Sequence, residues 1–378
     1  MTNSWVYYSF FAVIAVVGFF LYAYNPNKAC IYSGGELLKR DRSVNLAVII
    51  MIGYIVFWAC IRNGVADTSE YIYNYEHLDI NQSVFDVFKT KLLNEEKAPL
   101  FNAFALLCAK AGFSYTVYLS VIAIISGIFL IYGISNFSDD VTLSCFLFVA
   151  SMNFYWLFNG IRQFLVACIF FACLRLIVEK KTVKFLIIAA ILYLIHSSAI
   201  ILIPIYFISN FKSWSLKIWI CIITVMALVI LFPDQINDWL DDSFVEYGYA
   251  EATKNDDGVN FFRVLVAAVT PTIAFLFRQN VESYKNKYIE VMVNMSLITV
   301  GLYAVGVVTS GVFIGRLPIY TELFNIIILP FLIKRVIPRS LKPIMWILCI
   351  GFFLLFFYLQ TRNIYYTTFL FDSMNLKG

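Results

Sequence analysis

The chain has 378 residues, of which 61% are apolar, 18% aromatic and only 14% charged. Soluble domains carry roughly 25% charged residues and about 45–50% apolar ones, so this balance belongs to lipid. The net charge of +4 is small and spread over segments between apolar blocks, which argues against nucleic acid as a partner.

A helix needs about 20 residues to cross hydrocarbon, and ten blocks read as crossings: about 4–24, 44–61, 114–135, 141–157, 160–178, 215–232, 261–277, 289–309, 311–333 and 342–360. The first has no basic stretch before it and no A-x-A site after it, so it reads as a retained helix and not a cleaved leader. Segment 98–112 is short and contains Lys110. Segment 183–209 is too long for one span and has His196 in its middle. Basic residues concentrate in 25–43, 175–184, 210–217, 278–288 and 334–342. Because cytoplasmic segments carry the excess of Lys and Arg, all five should lie on one side. That parity requires 98–112 to enter and leave by the same face and 183–209 to be a hairpin or a pair of half-helices. Both termini and the acidic loops 62–97 and 233–260 then fall on the extracytoplasmic side. The expected fold is an all-α, polytopic integral membrane helical bundle within a single domain, 1–378. It has about ten full spans plus broken or re-entrant helices, 10–14 helices in all. No defensible internal repeat is visible.

Of eight cysteines, all but Cys30 lie inside apolar runs, with no CxxC and no Cys/His cluster. They read as small hydrophobes, and neither disulfides nor a metal site is expected.

Four features fall on the outer side. The first is Arg62-Asn-Gly-Val-Ala-Asp67-Thr68, followed by Tyr71 and Tyr75 one turn apart. Next comes Asn159-Gly-Ile-Arg162-Gln163, which opens a helix; Asn159 suits its N-cap and puts Arg162 in the first turn. A cation is disfavoured there unless an anion docks beside it, and helix N-termini do bind phosphates. The third is His196-Ser-Ser, at the apex of the broken segment. The fourth is Arg316-Leu-Pro-Ile-Tyr320, with Arg316 about five residues into its block, roughly 7–8 Å deep. Three arginines at similar depth suggest a diphosphate site; interfacial snorkelling is the plain alternative. Asp67 or His196 could take a proton from an attacking hydroxyl, or serve structurally. Glu322 is expected near the midplane, protonated, paired or facing a cavity, with Asn325, Asn294, Asn153 and Asn102 as possible partners. Loop 233–260 carries Trp239, Phe244, Tyr247 and Tyr249 among acids, which suits sugar contact or an interfacial helix.

The order R-x-G-x-x-D-T-x-x-Y, then N-G-I-R-Q, then His196-Ser-Ser-Ala about 33 residues on, then Arg316…Tyr320 before Leu329-Pro330, resembles the EpsG-type, Wzy-like polysaccharide polymerases over roughly 45–335. Val65-Ala66 departs from the Gly-Thr of that pattern. The resemblance implies a GT-C-like glycosyltransferase in the bacterial cytoplasmic membrane, working on its outer face. It implies glycans linked to undecaprenyl diphosphate as substrates, that lipid serving as carrier and not as cofactor. No cofactor or metal is implied, and membrane lipid and a chain-length regulator are the expected partners. On the matched residues Arg62, Arg162 and Arg316 would hold diphosphate, and Tyr71, Tyr75, Asn159, Gln163 and Tyr320 would line the site. Asp67 or His196 would be the base. A lipid-linked oligosaccharide flippase or other transporter, an O-antigen-type ligase and a membrane acyltransferase are the competing classes.

Overall fold

The computed structural model describes residues 4–24, 31–33, 36–37, 42–93, 98–231, 258–308, 314–362 and 364–368. Its helices are α1 Trp5–Tyr24, α2 Arg42–Cys60, α3 Thr68–Glu76, α4 Val84–Leu93, α5 Pro99–Lys110, α6 Tyr115–Phe137, α7 Val141–Ala150, α8 Ile161–Ala172, α9 Leu174–Val178, α10 Thr182–Ile195, α11 Leu202–Ser209, α12 Leu216–Leu231, α13 Phe261–Leu276, α14 Arg278–Ser283, α15 Lys287–Val308, α16 Ile319–Phe331 and α17 Lys342–Thr361. Tight 3-10 turns occupy Asn153–Leu157, Ser197–Ile201 and Ile314–Arg316, and a π-turn occupies Leu332–Val336. A two-residue ribbon pairs Tyr32–Ser33 with Glu36–Leu37. The architecture is the expected polytopic helical membrane protein.

Fewer crossings than expected are single long helices. Among the described residues six stretches are long and apolar enough to span: α1, α2, α6, α15, 314–336 and α17. Block 141–157 stops being α-helical at Ala150, since Met152 turns left-handed at φ 66°. Block 160–178 starts after a left-handed Gly160 (φ 64°) and divides at Cys173 into α8 and α9. Helices α12 and α13 have 16 residues each, short of the usual span. Such breaks are tolerated at membrane depth only where protein or a cavity covers the freed backbone groups. Met152, Phe154 and Leu157 are all buried, which meets that condition. Pro330, near the end of α16, lacks an N–H and crowds the preceding turn, and the wide π-turn follows directly.

The helices pack as a chain of neighbours, α1 on α2, α2 on α6, α6 on α8, α8 on α16, α16 on α15 and α15 on α13, with α7 contacting α1, α2, α16 and α17. Lipid tails are as apolar as leucine, so close approach and dispersion must hold these contacts. Glycines supply the approach. A Cβ on Gly127 of α6 would come 2.6 Å from Val56 Cγ2 of α2, and one on Gly133 would run into the Phe171 ring of α8.

The two ends of the bundle differ. At one end Arg335 pairs with Asp139 (2.8 Å) and Lys334 with Asp140 (3.2 Å), and Ile31 N–H donates to Asp139 Oδ1 (3.2 Å). Tyr284 donates to the Arg335 carbonyl (3.3 Å), Lys287 Nζ to the Asn210 carbonyl (3.1 Å) and Asn210 Nδ2 to the Ile177 carbonyl (3.2 Å). All five basic segments therefore meet at this end. The hairpin is also present: Thr182 and Tyr206 hydroxyls lie 2.7 Å apart at its base and the rings of Phe185 and Tyr206 stack at 4.4 Å, so His196 and Ser198 form its apex. Both described chain ends lie at the opposite end, where Trp5 packs on Trp58 (5.6 Å) and the Tyr366 hydroxyl donates to the Trp58 carbonyl (2.6 Å). The aromatic loop residues Trp239, Phe244, Tyr247 and Tyr249 lie outside the described residues.

Candidate active site

At the end away from the basic residues, the chain leaves α2 and turns inward. Arg62 is 1% exposed. Its Nε donates to Thr68 Oγ1 (3.2 Å), Nη1 donates to the Ala59 carbonyl, and the guanidinium lies 5.7 Å from the Phe158 ring. Its backbone bridges Thr368, and burial pulls its pKa down to about 10. Arg62 thus ties the 62–68 turn to α2, and the donors it presents are occupied by protein, apart from a buried Nη2 with no acceptor.

The turn carries strain. Ala66 sits at φ 50°, a region that costs a side-chain-bearing residue roughly 1–2 kcal/mol, and it lies at the segment where the sequence departs from Gly-Thr. Next in the chain, Asp67 precedes α3 without capping it. Its Oδ2 instead accepts the backbone N–H of Gly160 at 2.8 Å. Asn159 is therefore not the cap of α8. Gly160 is, because only a left-handed residue turns the chain sharply from the 153–157 turn into the helix, and a carboxylate from another segment sits against that N-terminus.

Arg162 occupies the first turn of α8, half-buried, with its guanidinium 5.9 Å from the Tyr71 ring and 5.5 Å from that of Phe101. Tyr71 is within hydrogen-bonding reach of Arg162; burial raises its phenol pKa and Arg162 opposes the rise. Tyr75 faces elsewhere, donating to the Phe113 carbonyl (2.8 Å) and stacking on Tyr118 at 4.6 Å. Gln163 is buried and joins three segments: its Nε2 donates to Ser198 Oγ (3.4 Å) and to the Arg316 carbonyl (3.3 Å), and the Ser198 and Tyr320 hydroxyls lie 2.6 Å apart. His196 closes α10 in an extended conformation, half-buried, two residues before Ser198. Arg316 is half-buried in the 3-10 turn before α16 and not inside a helix, because Pro318 occupies the N-cap of α16.

A second polar cluster adjoins the first. Glu322 lies in the first turn of α16 and not at mid-helix, where the helix dipole favours its carboxylate. Its Oε2 accepts the Tyr303 hydroxyl at 3.0 Å, and Arg263 and Trp156 are close enough to act on the same group. Glu322, Arg263, Asn159, Tyr155, Trp156 and Tyr303 line one cavity; a second shares Glu322, Ser151 and Val266 and continues to Asn153 and Asn325. The Oδ1 atoms of Asn153, Asn159 and Asn325 are buried without a hydrogen-bond donor, so each cavity has at least one unpaired acceptor in its wall. Asn294 is committed elsewhere, donating to the carbonyls of Ser209 (2.9 Å) and Phe211 (2.7 Å). Arg263 was not among the sequence candidates. Its signal was the one that singled out Arg62, a basic residue at the outer end of an apolar block, here just after the Asn260 cap.

The model of the EpsG family matches residues 45–372. The chain belongs to the EpsG family. These are Wzy-like polysaccharide polymerases, and the match runs from the start of α2 past every motif residue described above. No curated protein and no solved structure matches the chain. In this EpsG-family protein Asp67, Tyr71, Asn159, Arg162, Gln163, Arg316 and Tyr320 belong to one connected region, with His196 at its border. Arg62 and Tyr75 are anchored into the surrounding framework. The three arginines of the sequence pattern are thus not equivalent: Arg62 is enclosed, whereas Arg162 and Arg316 are half-buried.

Proposed function

We propose that this EpsG-family protein joins oligosaccharide repeat units carried on undecaprenyl diphosphate, at the extracytoplasmic face of the bacterial cytoplasmic membrane. The basic end is cytoplasmic under the positive-inside rule, which turns the Asp67–Arg162 region outward. In the reaction a hydroxyl oxygen of the incoming lipid-linked unit bonds to the anomeric carbon at the reducing end of the growing glycan. The bond from that carbon to the diphosphate oxygen breaks, and undecaprenyl diphosphate leaves with the electron pair.

The observation that carries this reading is Arg162 in the first turn of α8, beside an N-terminus that already favours anions. Arg316 and Arg263 flank the same region and are suited to share the charge of the departing diphosphate; removing one such preorganised donor costs about 10²–10³ in rate. Asp67 is the favoured base: the Gly160 bond fixes Oδ2 and leaves Oδ1 to meet the hydroxyl proton. His196 is the alternative. The reaction so drawn is metal-independent. A chain-length regulator is the expected protein partner, and the product is an O-antigen or an exopolysaccharide.

Deletion in the native host, complemented with wild type or Arg162→Ala at matched membrane levels, tests the reading. Glycan capped at a single repeat unit in the deletion, restored to long polymer by wild type and not by Arg162→Ala, is expected. Accumulation of long lipid-linked polymer that is never transferred would identify a ligase and overturn it. Loss of all surface glycan with intact units trapped inside would identify a transporter.

A further inference from the structure

At the basic end α1 and α17 part company. Phe11 of α1 meets Phe357 of α17 edge-on at 4.8 Å and Phe146 of α7 at 5.5 Å, and beside that aromatic contact a space opens between the two helices. The wedge between them encloses about 1420 Å³, its open side included. One wall is an α1 stripe at helical spacing (Ile14, Ala15, Gly18, Tyr22), the other an α17 stripe (Trp346, Ile350, Leu354), and the start of α7 forms the floor. Gly18 sets that floor: a Cβ there would collide with Thr142, so glycine lets α1 lie directly on α7.

The depth matches half a bilayer. Phe11 to Tyr22 is eleven residues of helix, about 16 Å at 1.5 Å per residue, against roughly 15 Å for one leaflet of a 30 Å hydrocarbon core. The mouth carries charge. Lys334 and Asp140 line it, and Lys334, Arg335 and Arg339 all press electrostatically on Lys342, whose Nζ reaches the Lys334 carbonyl at 2.6 Å. Four cations face two carboxylates there, Asp139 and Asp140, which leaves positive charge at headgroup level.

The geometry points to a built-in site for one anionic glycerophospholipid of the cytoplasmic leaflet, its acyl chain in the wedge and its phosphodiester at the Lys334–Arg339–Lys342 mouth. A polyprenyl carrier fits less well, since the aromatic closure at Phe11 and Phe357 stops the wedge at the depth of a single leaflet. The site lies at the other end of the bundle from the candidate active site and does not depend on the proposed chemistry.

The test uses the full chain purified in neutral detergent, with thermal unfolding followed as dioleoyl phosphatidylglycerol, dioleoyl phosphatidylcholine or undecaprenyl phosphate is added. Phosphatidylglycerol should raise the midpoint by at least about 3 °C more than phosphatidylcholine, and native mass spectrometry should show one such lipid retained per chain. Arg339→Gln with Lys342→Gln should erase the headgroup preference, and Ala15→Trp, which fills an already lipid-facing position, should erase the shift itself. Each variant is scored only against its own lipid-free midpoint, so an unstable variant does not imitate the result. Equal shifts with both phospholipids would reduce the wedge to ordinary annular lipid, and a larger shift with undecaprenyl phosphate would reassign it to a polyprenyl chain. Either outcome overturns the proposal.

Discussion

Asp67 reaches across 93 residues to accept the Gly160 N–H through Oδ2 at 2.8 Å. The contact joins the turn after α2 to the N-terminus of the helix that bears Arg162, so one carboxylate shapes the region and, in the proposed reaction, also takes the proton. These two roles separate experimentally. Asp67→Asn keeps an acceptor for Gly160 but no longer takes a proton. It should reach the membrane at wild-type levels and polymerise about 10²-fold or more slowly. Asp67→Ala should lose activity and also about 1.5–3 kcal/mol of stability through the lost charged hydrogen bond. Polymer length per unit of membrane protein, together with a thermal midpoint in detergent, distinguishes them; an active Asn variant would make Asp67 purely structural.

Arg62 and Arg162 should fail differently. Arg162→Lys retains charge but loses the planar fork that grips a phosphate and stacks on Tyr71 and Phe101. The expected result is normal abundance with roughly a 10- to 100-fold loss of polymerisation, smaller than removing the donor outright because the charge is kept. Arg62→Ala removes a buried tie between Ala59 and Thr68, and abundance should fall while the surviving protein keeps near-normal specific activity. Quantitative immunoblotting alongside glycan gels reads both.

The Gln163–Ser198–Tyr320 network predicts a measurable coupling. Ser198→Ala and Tyr320→Phe each delete one end of a buried 2.6 Å hydrogen bond and should each destabilise by about 1 kcal/mol. The double variant should cost clearly less than the sum, because neither partner is then left unsatisfied. Strictly additive midpoints would mean that the two hydroxyls do not act on one another.

Glu322 and Arg263 face a shared cavity. Glu322→Gln removes the carboxylate that accepts the Tyr303 hydroxyl and faces Arg263, and should lower stability by about 1–3 kcal/mol. Adding Arg263→Met should restore much of the stability, yet polymerisation should stay lost if Arg263 helps hold diphosphate. Recovery of activity in the double variant would make the cluster a framework element only.

The sequence pattern located the helical membrane architecture and the gathering of the basic segments at one end, because hydropathy and charge report depth and face directly. Side-chain direction around a helix was another matter. Helix α6 is apolar on every side, and with no polar stripe nothing marks which face meets α2 or α8. Arg62 and Arg162 therefore looked alike as outer-end arginines, though packing encloses one and leaves the other half-buried. The Asp67–Gly160 bond was invisible for a related reason: it joins segments far apart in the chain, whereas a local rule favoured Asn159 as cap. Arg263 carries the right charge in the right place, but no motif surrounds it to mark it in the sequence.

The bridge between Arg62 and Thr368 has a consequence for biogenesis. Trp58 and Ile61, at the end of α2, wait for partners that the ribosome supplies 308 and 307 residues later. Until Tyr366 and Thr368 arrive, the guanidinium beside Phe158 lacks part of its wall. This corner is thus completed only once Thr368 has been made, and a nascent chain stalled after α17 would hold α1 to α17 in place with the corner still unsealed.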